Sequence, residues 1–199
     1  MIRDDRGRRV AFVSHCLLNQ NVRYMGGAFF AGAVPSVLET FAAQNVGFVQ
    51  MPCPEQLAWG GVTKRLLLRA YGSRALYVMR AVFLPLFVVY TRVRYWWLAR
   101  RVARDIRDYV TAGYEVVGIV GVDDSPSCGV RRTLDVKRAL PVIASLDDAV
   151  DRETFNARAV RDCLVPGRGF FISALRRALA RCSLEVPMLE YHVDSGSID

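Results

Sequence analysis

Histidine is scarce in this sequence. Only His15 and His192 occur, which excludes a metal site built from several imidazoles. None of the five cysteines is spaced as Cys-x-x-Cys, so the signatures of zinc fingers and thioredoxin-like redox pairs are missing. No Walker A stretch, internal repeat or low-complexity tract occurs. The apolar run from Ala81 to Tyr90 is too short to span a bilayer, and it contains Pro85. Met1 to Arg9 is charged, and no apolar signal-peptide core follows it. The expected location is therefore the cytoplasm, whose reducing conditions favour free thiols or metal ligands over disulfides.

What is present describes a globular chain. Its 199 residues, 52% of them hydrophobic, suffice for one domain with a core that folds without staples. The 27 Lys and Arg outnumber the 19 Asp and Glu, giving a formal net charge of +8. That balance attracts anions, nucleic acid or acidic membrane surfaces, but it speaks to association and not to chemistry.

Strand and helix patterns alternate. Val10–Ser14, Val46–Met51, Tyr114–Val122 and Val186–Tyr191 read as strands. The third is apolar on both faces, as a central parallel strand requires. Residues 33–44 have apolar side chains at helical spacing, stopped by Asn45 and Gly47. Residues 66–112 read as a long helical insertion with a break at Pro85, closed by Gly113. Ser145-Leu146-Asp147-Asp148 resembles a capping box for a helix running to about Cys163, and residues 169–182 form another helix. The expected fold is a single α/β domain over residues 1–199, with a mostly parallel, Rossmann-like sheet and flanking helices.

Ligands of such sheets bind beyond the carboxyl ends of the strands. Cys16, Cys53 and Cys128 each fall in the loop after one of the first three strands. Pro52 and Pro54 fix the backbone on both sides of Cys53, and Ser125-Pro126-Ser127-Cys128-Gly129 supplies a rigid turn with hydroxyls. Thiolates are soft ligands that suit zinc, copper(I) or iron–sulfur clusters. A lone free cysteine is commonly just a small buried hydrophobe, and that is the reading for Cys163 and Cys182 among their Leu and Ala neighbours.

The segments Val13-Ser14-His15-Cys16-Leu17-Leu18-Asn19, Cys53-Pro54-Glu55 and Ser125-Pro126-Ser127-Cys128-Gly129 resemble the three signature stretches of the thiouracil desulfurase family. The resemblance covers about the first two-thirds of the chain, and its most specific part is the last stretch. It implies a [4Fe-4S] cluster on Cys16, Cys53 and Cys128 with one iron left open. That iron takes sulfur from a small thiolated substrate without net redox chemistry. It further implies acid–base and orienting roles for Glu55 and Ser125. Asp124 stands where the family usually carries a basic residue, and Ala58–Arg65 departs from the family's pattern, so the chain resembles a divergent branch.

His15, Asn19 and Ser127 are the candidate substrate contacts, with Asn21 and Arg23 in the same polar cluster; tethering of the loop is the other reading for His15. The competing class is a noncatalytic module binding zinc or a nucleotide. Gly167-Arg168-Gly169 ahead of a helix offers an anion site, although an ordinary loop is the simpler reading. Residues 81–107 mix arginines with aromatics, which suits a membrane-surface helix or an RNA platform. The preferred expectation is a core helix whose arginines reach water, or a homodimer contact.

Overall fold

A computed structural model describes residues 4–24, 26–67, 78–139 and 162–199. The helix expected from Ser145 lies almost wholly outside these residues. The described chain is a mixed α/β structure around a five-stranded sheet. Strand β1 (Arg9–Val13) pairs in parallel with β2 (Gly47–Gln50) on one side and with β3 (Glu115–Val122) on the other. β3 pairs in parallel with the strand Met188–His192, and a short antiparallel strand, Ser197–Ile198, closes that edge. Two further short strands, Arg132–Leu134 and Leu164–Pro166, make a separate antiparallel pair. In chain order these four are β6, β7, β4 and β5.

β3 is central, as its apolar run requires. Ile119, Val120 and Val122 are buried together with Ala11, Phe12 and Val13 of β1. Each large side chain so covered contributes about 1.5–3 kcal/mol. Helices flank the sheet: α1 (His15–Leu18), α2 (Pro35–Ala42), α3 (Pro54–Ala58), α4 (Arg80–Thr111) and α5 (Phe170–Arg181). α2 stops just before Asn45, which takes the left-handed conformation (φ 56) that asparagine tolerates. α4 stops at Gly113 (φ 78). There the Gly113 N–H donates to Val110 O, and the Tyr114 N–H donates to Tyr109 O, which caps the last carbonyls.

The expected break at Pro85 does not occur, and α4 runs through it as one helix. Pro85 lies near the start of the helix, where the lost N–H removes one bond of a long ladder. α4 packs mainly on α5, with smaller contacts to α3 and β3. No helix among the described residues is long and apolar enough to cross a membrane.

Candidate cysteine site

The strand order β2-β1-β3 puts the three cysteine loops side by side, and Cys16, Cys53 and Cys128 line one pocket. Each loop is fastened locally. Cys16 lies in α1, and its carbonyl accepts from the buried Gln20 Nε2 at 2.6 Å. Cys53 is the N-cap of α3, and its Sγ accepts from the Gln56 N–H at 3.4 Å. Ser125 Oγ accepts from the N–H groups of Ser127 (3.1 Å) and Cys128 (2.9 Å).

The Cys128 loop also folds back over β3. The Val122 N–H donates to Cys128 O, and a Cβ on Gly121 would stand 2.2 Å from that oxygen. Only glycine permits this approach, a known meaning of glycine inside a strand. On its other side the loop meets the start of α5. The N–H groups of Gly169, Phe170 and Phe171 donate to the carbonyls of Gly129, Pro126 and Ser127. The loop carbonyls occupy those donors, so Gly167-Arg168-Gly169 follows the ordinary-loop reading and not the anion-site alternative.

Burial pushes all three thiols above the usual cysteine range. Cys53 reaches about 12, raised by burial and by Glu55 against a smaller opposing pull from Gln56 and Lys64. Cys16 is raised by burial and partly offset by Arg23. Cys128, 6% exposed, is raised by burial first and then by the neighbouring Cys16. All three are free cysteines. The chain alone therefore keeps three soft donors protonated in one pocket, and a bound cation would supply the charge that ionises them. That donor set fits an iron–sulfur cluster. Among the described residues no three His, Cys, Asp or Glu side chains form a single-ion site. This lends the zinc reading nothing, and it is neutral for a cluster, in which each thiolate holds its own iron.

Glu55 and Ser125 line the same pocket. Glu55 Oε1 accepts from Ser127 Oγ at 3.0 Å, and its Oε2 lies 3.6 Å from the buried Lys64 Nζ. Ser127 Oγ also meets the Tyr95 hydroxyl at 2.9 Å, so a buried chain Lys64–Glu55–Ser127–Tyr95 runs behind the cysteines. Ser127 is thus joined to Glu55 and does not itself line the pocket. His15 does line it, with Nδ1 3.4 Å from Gln50 Nε2 and its value lowered by burial. Asn19 does not line it; its side chain accepts from the Asn21 N–H and caps the turn at Gln20–Val22.

Arg23 and Asp124 form a buried ion pair that also lines the pocket. Burial works to lower the Arg23 guanidinium, and Asp124, Cys16 and Tyr24 together outweigh it, so its value is raised. The guanidinium also stacks over Phe29, 4.8 Å from the ring centre. Arg23 Nε and Asp124 Oδ1 are buried without a partner, one donor and one acceptor beside the cysteines. Such atoms are rare in folded proteins, and an ordered water or an ion is a common partner for them.

Sequence reasoning placed Arg23 in the polar cluster but did not pair it with Asp124, and it did not assign Lys64 or Tyr95 to the site. Tyr95 shares a helical face with Thr91 and Ala99, so its inward direction was readable, but its target was not. Cys163 and Cys182 stay away from the pocket; Cys163 is buried and Cys182 half-buried.

No family model matches the chain, and no solved structure matches it. An uncharacterized protein of Methanocaldococcus jannaschii, MJ0003, is 42% identical over 55 residues. The match covers 28% of this chain and 35% of that protein.

Proposed function

We propose that this chain is a desulfurase. In this reading Cys16, Cys53 and Cys128 hold a [4Fe-4S] cluster, and sulfur is removed from a small thiocarbonyl compound. The observation that carries it is the meeting of three thiols from three adjacent strand ends in one pocket that Glu55 also lines. The resemblance to the thiouracil desulfurase family supplies the reaction class. A cluster on three thiolates leaves one iron open as a soft Lewis acid for sulfur. The net exchange converts a thiocarbonyl and one water into a carbonyl and sulfide, with no electron transferred.

The protein's own groups have definable tasks. Glu55 accepts a proton from the attacking water, and its carboxylate is aimed by Ser127 and Lys64. Ser125 holds the Cys128 loop. The Arg23–Asp124 ion pair lines the same pocket and supplies its charged polar wall for the edge of a thioamide or thioureide. The domain is a single Rossmann-like unit working in the cytoplasm, where its thiols stay reduced.

The test is iron and acid-labile sulfide after anaerobic reconstitution. Cys16→Ser, Cys53→Ser and Cys128→Ser should each lose most of both, and Cys163→Ser and Cys182→Ser should keep them. Full retention in any of the first three removes that residue from the ligand set. A colourless, zinc-loaded protein would favour the noncatalytic module.

A further inference from the structure

Helix α4 has two apolar faces, and the described protein covers only one. Phe87, Val88, Thr91, Tyr95, Ala99 and Val102 point inward and are buried. Opposite them, Val82, Leu86, Val89, Val93 and Trp97 succeed one another at helical spacing. They are 58%, 61%, 58%, 51% and 62% exposed. The same stripe continues as Arg100, Arg104 and Arg107, all exposed, and Arg92 and Arg94 lie on either side of it. No Asp or Glu occurs between Glu55 and Asp105. A contiguous apolar stripe of this kind, rimmed by charge, marks an interaction surface. The preferred expectation of a core helix with arginines in water therefore accounts for only one side of α4.

We propose that this face docks on an anionic lipid surface. Val82, Leu86, Val89 and Val93 enter the boundary between headgroups and acyl chains, and the arginines meet lipid phosphates. Trp97 stands where the apolar part of the stripe gives way to the basic part, the position an amphipathic ring favours at such a boundary. Charge decides against the other occupants. A second copy of α4 would bring the same arginines, with only Asp105 and Asp108 on the whole helix to answer them. An RNA would meet the arginines and leave four aliphatic side chains without an apolar partner. The helix lies along the surface, since it is not long and apolar enough to cross.

Co-sedimentation of the full chain with vesicles tests this. One set is phosphatidylcholine; the other contains about one third phosphatidylglycerol, and both are used at low and at physiological salt. Binding is expected only to the anionic set and should weaken with salt, with a blue shift of tryptophan emission from Trp97. Leu86→Gln with Val89→Gln should reduce the affinity on the order of a hundredfold, by removing apolar burial. Arg100→Gln with Arg104→Gln should reduce it on the order of thirtyfold and flatten the salt dependence. Both double variants should keep the parent's circular dichroism, because the four residues are exposed. Three outcomes overturn the proposal: no binding to anionic vesicles, binding equal on neutral ones, or parent-like binding by the Leu86 and Val89 variant. A dimer in solution that this variant breaks, without vesicle binding, assigns the face to a second copy instead.

Discussion

At the scale of single residues, two neighbours of the cysteines separate by what their oxygens do. Glu55 is held at both carboxylate oxygens, by Ser127 and by Lys64, so glutamine keeps its shape while removing the base. Glu55→Gln is expected to retain the parent's iron content and visible spectrum and to lose desulfuration by about 10² or more. Ser125→Ala should behave differently. It leaves the N–H groups of Ser127 and Cys128 without their acceptor, at a cost of about 1–2 kcal/mol in stability, and should bind less iron. A Glu55→Gln variant with the parent's rate would move the base elsewhere, Asp124 being the next carboxylate in the pocket. A second residue couples stability to pH. Burial works to lower His192, and the hydrogen bonds that its ring N–H groups donate to the Asp199 and Asp123 carboxylates outweigh it, so its folded value is raised. Its contribution is complete below the ordinary histidine value of about 6.5 and is lost as pH rises through the folded value. In urea titrations, His192→Gln should therefore cost most near about pH 5.5 and least near about pH 9. A difference that stays constant across that range would show that the imidazolium is not what the two carboxylates stabilise.

At the scale of elements, the start of α5 and the Cys128 loop form one unit. A Cβ on Gly169 would stand 2.4 Å from the carbonyl carbon and oxygen of Ser127. Gly169→Ala should overpack that contact, lower stability by about 1–3 kcal/mol and reduce iron retention at Cys128. An unchanged urea midpoint would show that the loop can move aside freely. This contact also marks where reading the sequence stops working. The glycines before α5 were visible as an exposed set of helix donors, but which carbonyls fold back onto them depends on a return of the chain over Gly121. The long elements were legible because periodicity and stop residues agree, as at Gly113 and Asn45. Pro85 misled because a long helix packed on its neighbours absorbs the loss of one ladder bond. α1, α3, β4 and β5 are too short to carry a period at all.

At the scale of the whole molecule, the candidate site belongs to the sheet and not to any one loop. Val13 of β1 pairs with Gln50 of β2 and with Val120 of β3, so the three cysteine loops leave neighbouring strand ends. That much could be anticipated, since alternating strands and helices predict a parallel sheet whose loops share an edge. The order β2-β1-β3, which makes the three loops adjacent, is a long-range outcome that no local pattern encodes. It has a thermodynamic consequence under the desulfurase reading. The three thiolates come together only when all three strands are in register, so a cluster binds the folded chain and not the unfolded one. Cluster binding then adds directly to global stability. The reconstituted protein should unfold at higher urea than the apoprotein, followed anaerobically by far-ultraviolet circular dichroism. The slope of the transition should be unchanged, because the same surface is exposed. Cys163→Ser should show the same gap between the two forms, and Cys53→Ser should show none. If both forms of the parent unfold at one midpoint, the cysteines do not act together across the sheet. If the midpoint moves and the slope falls sharply, the apoprotein is already partly open, and the cluster closes a loop instead of locking a formed sheet.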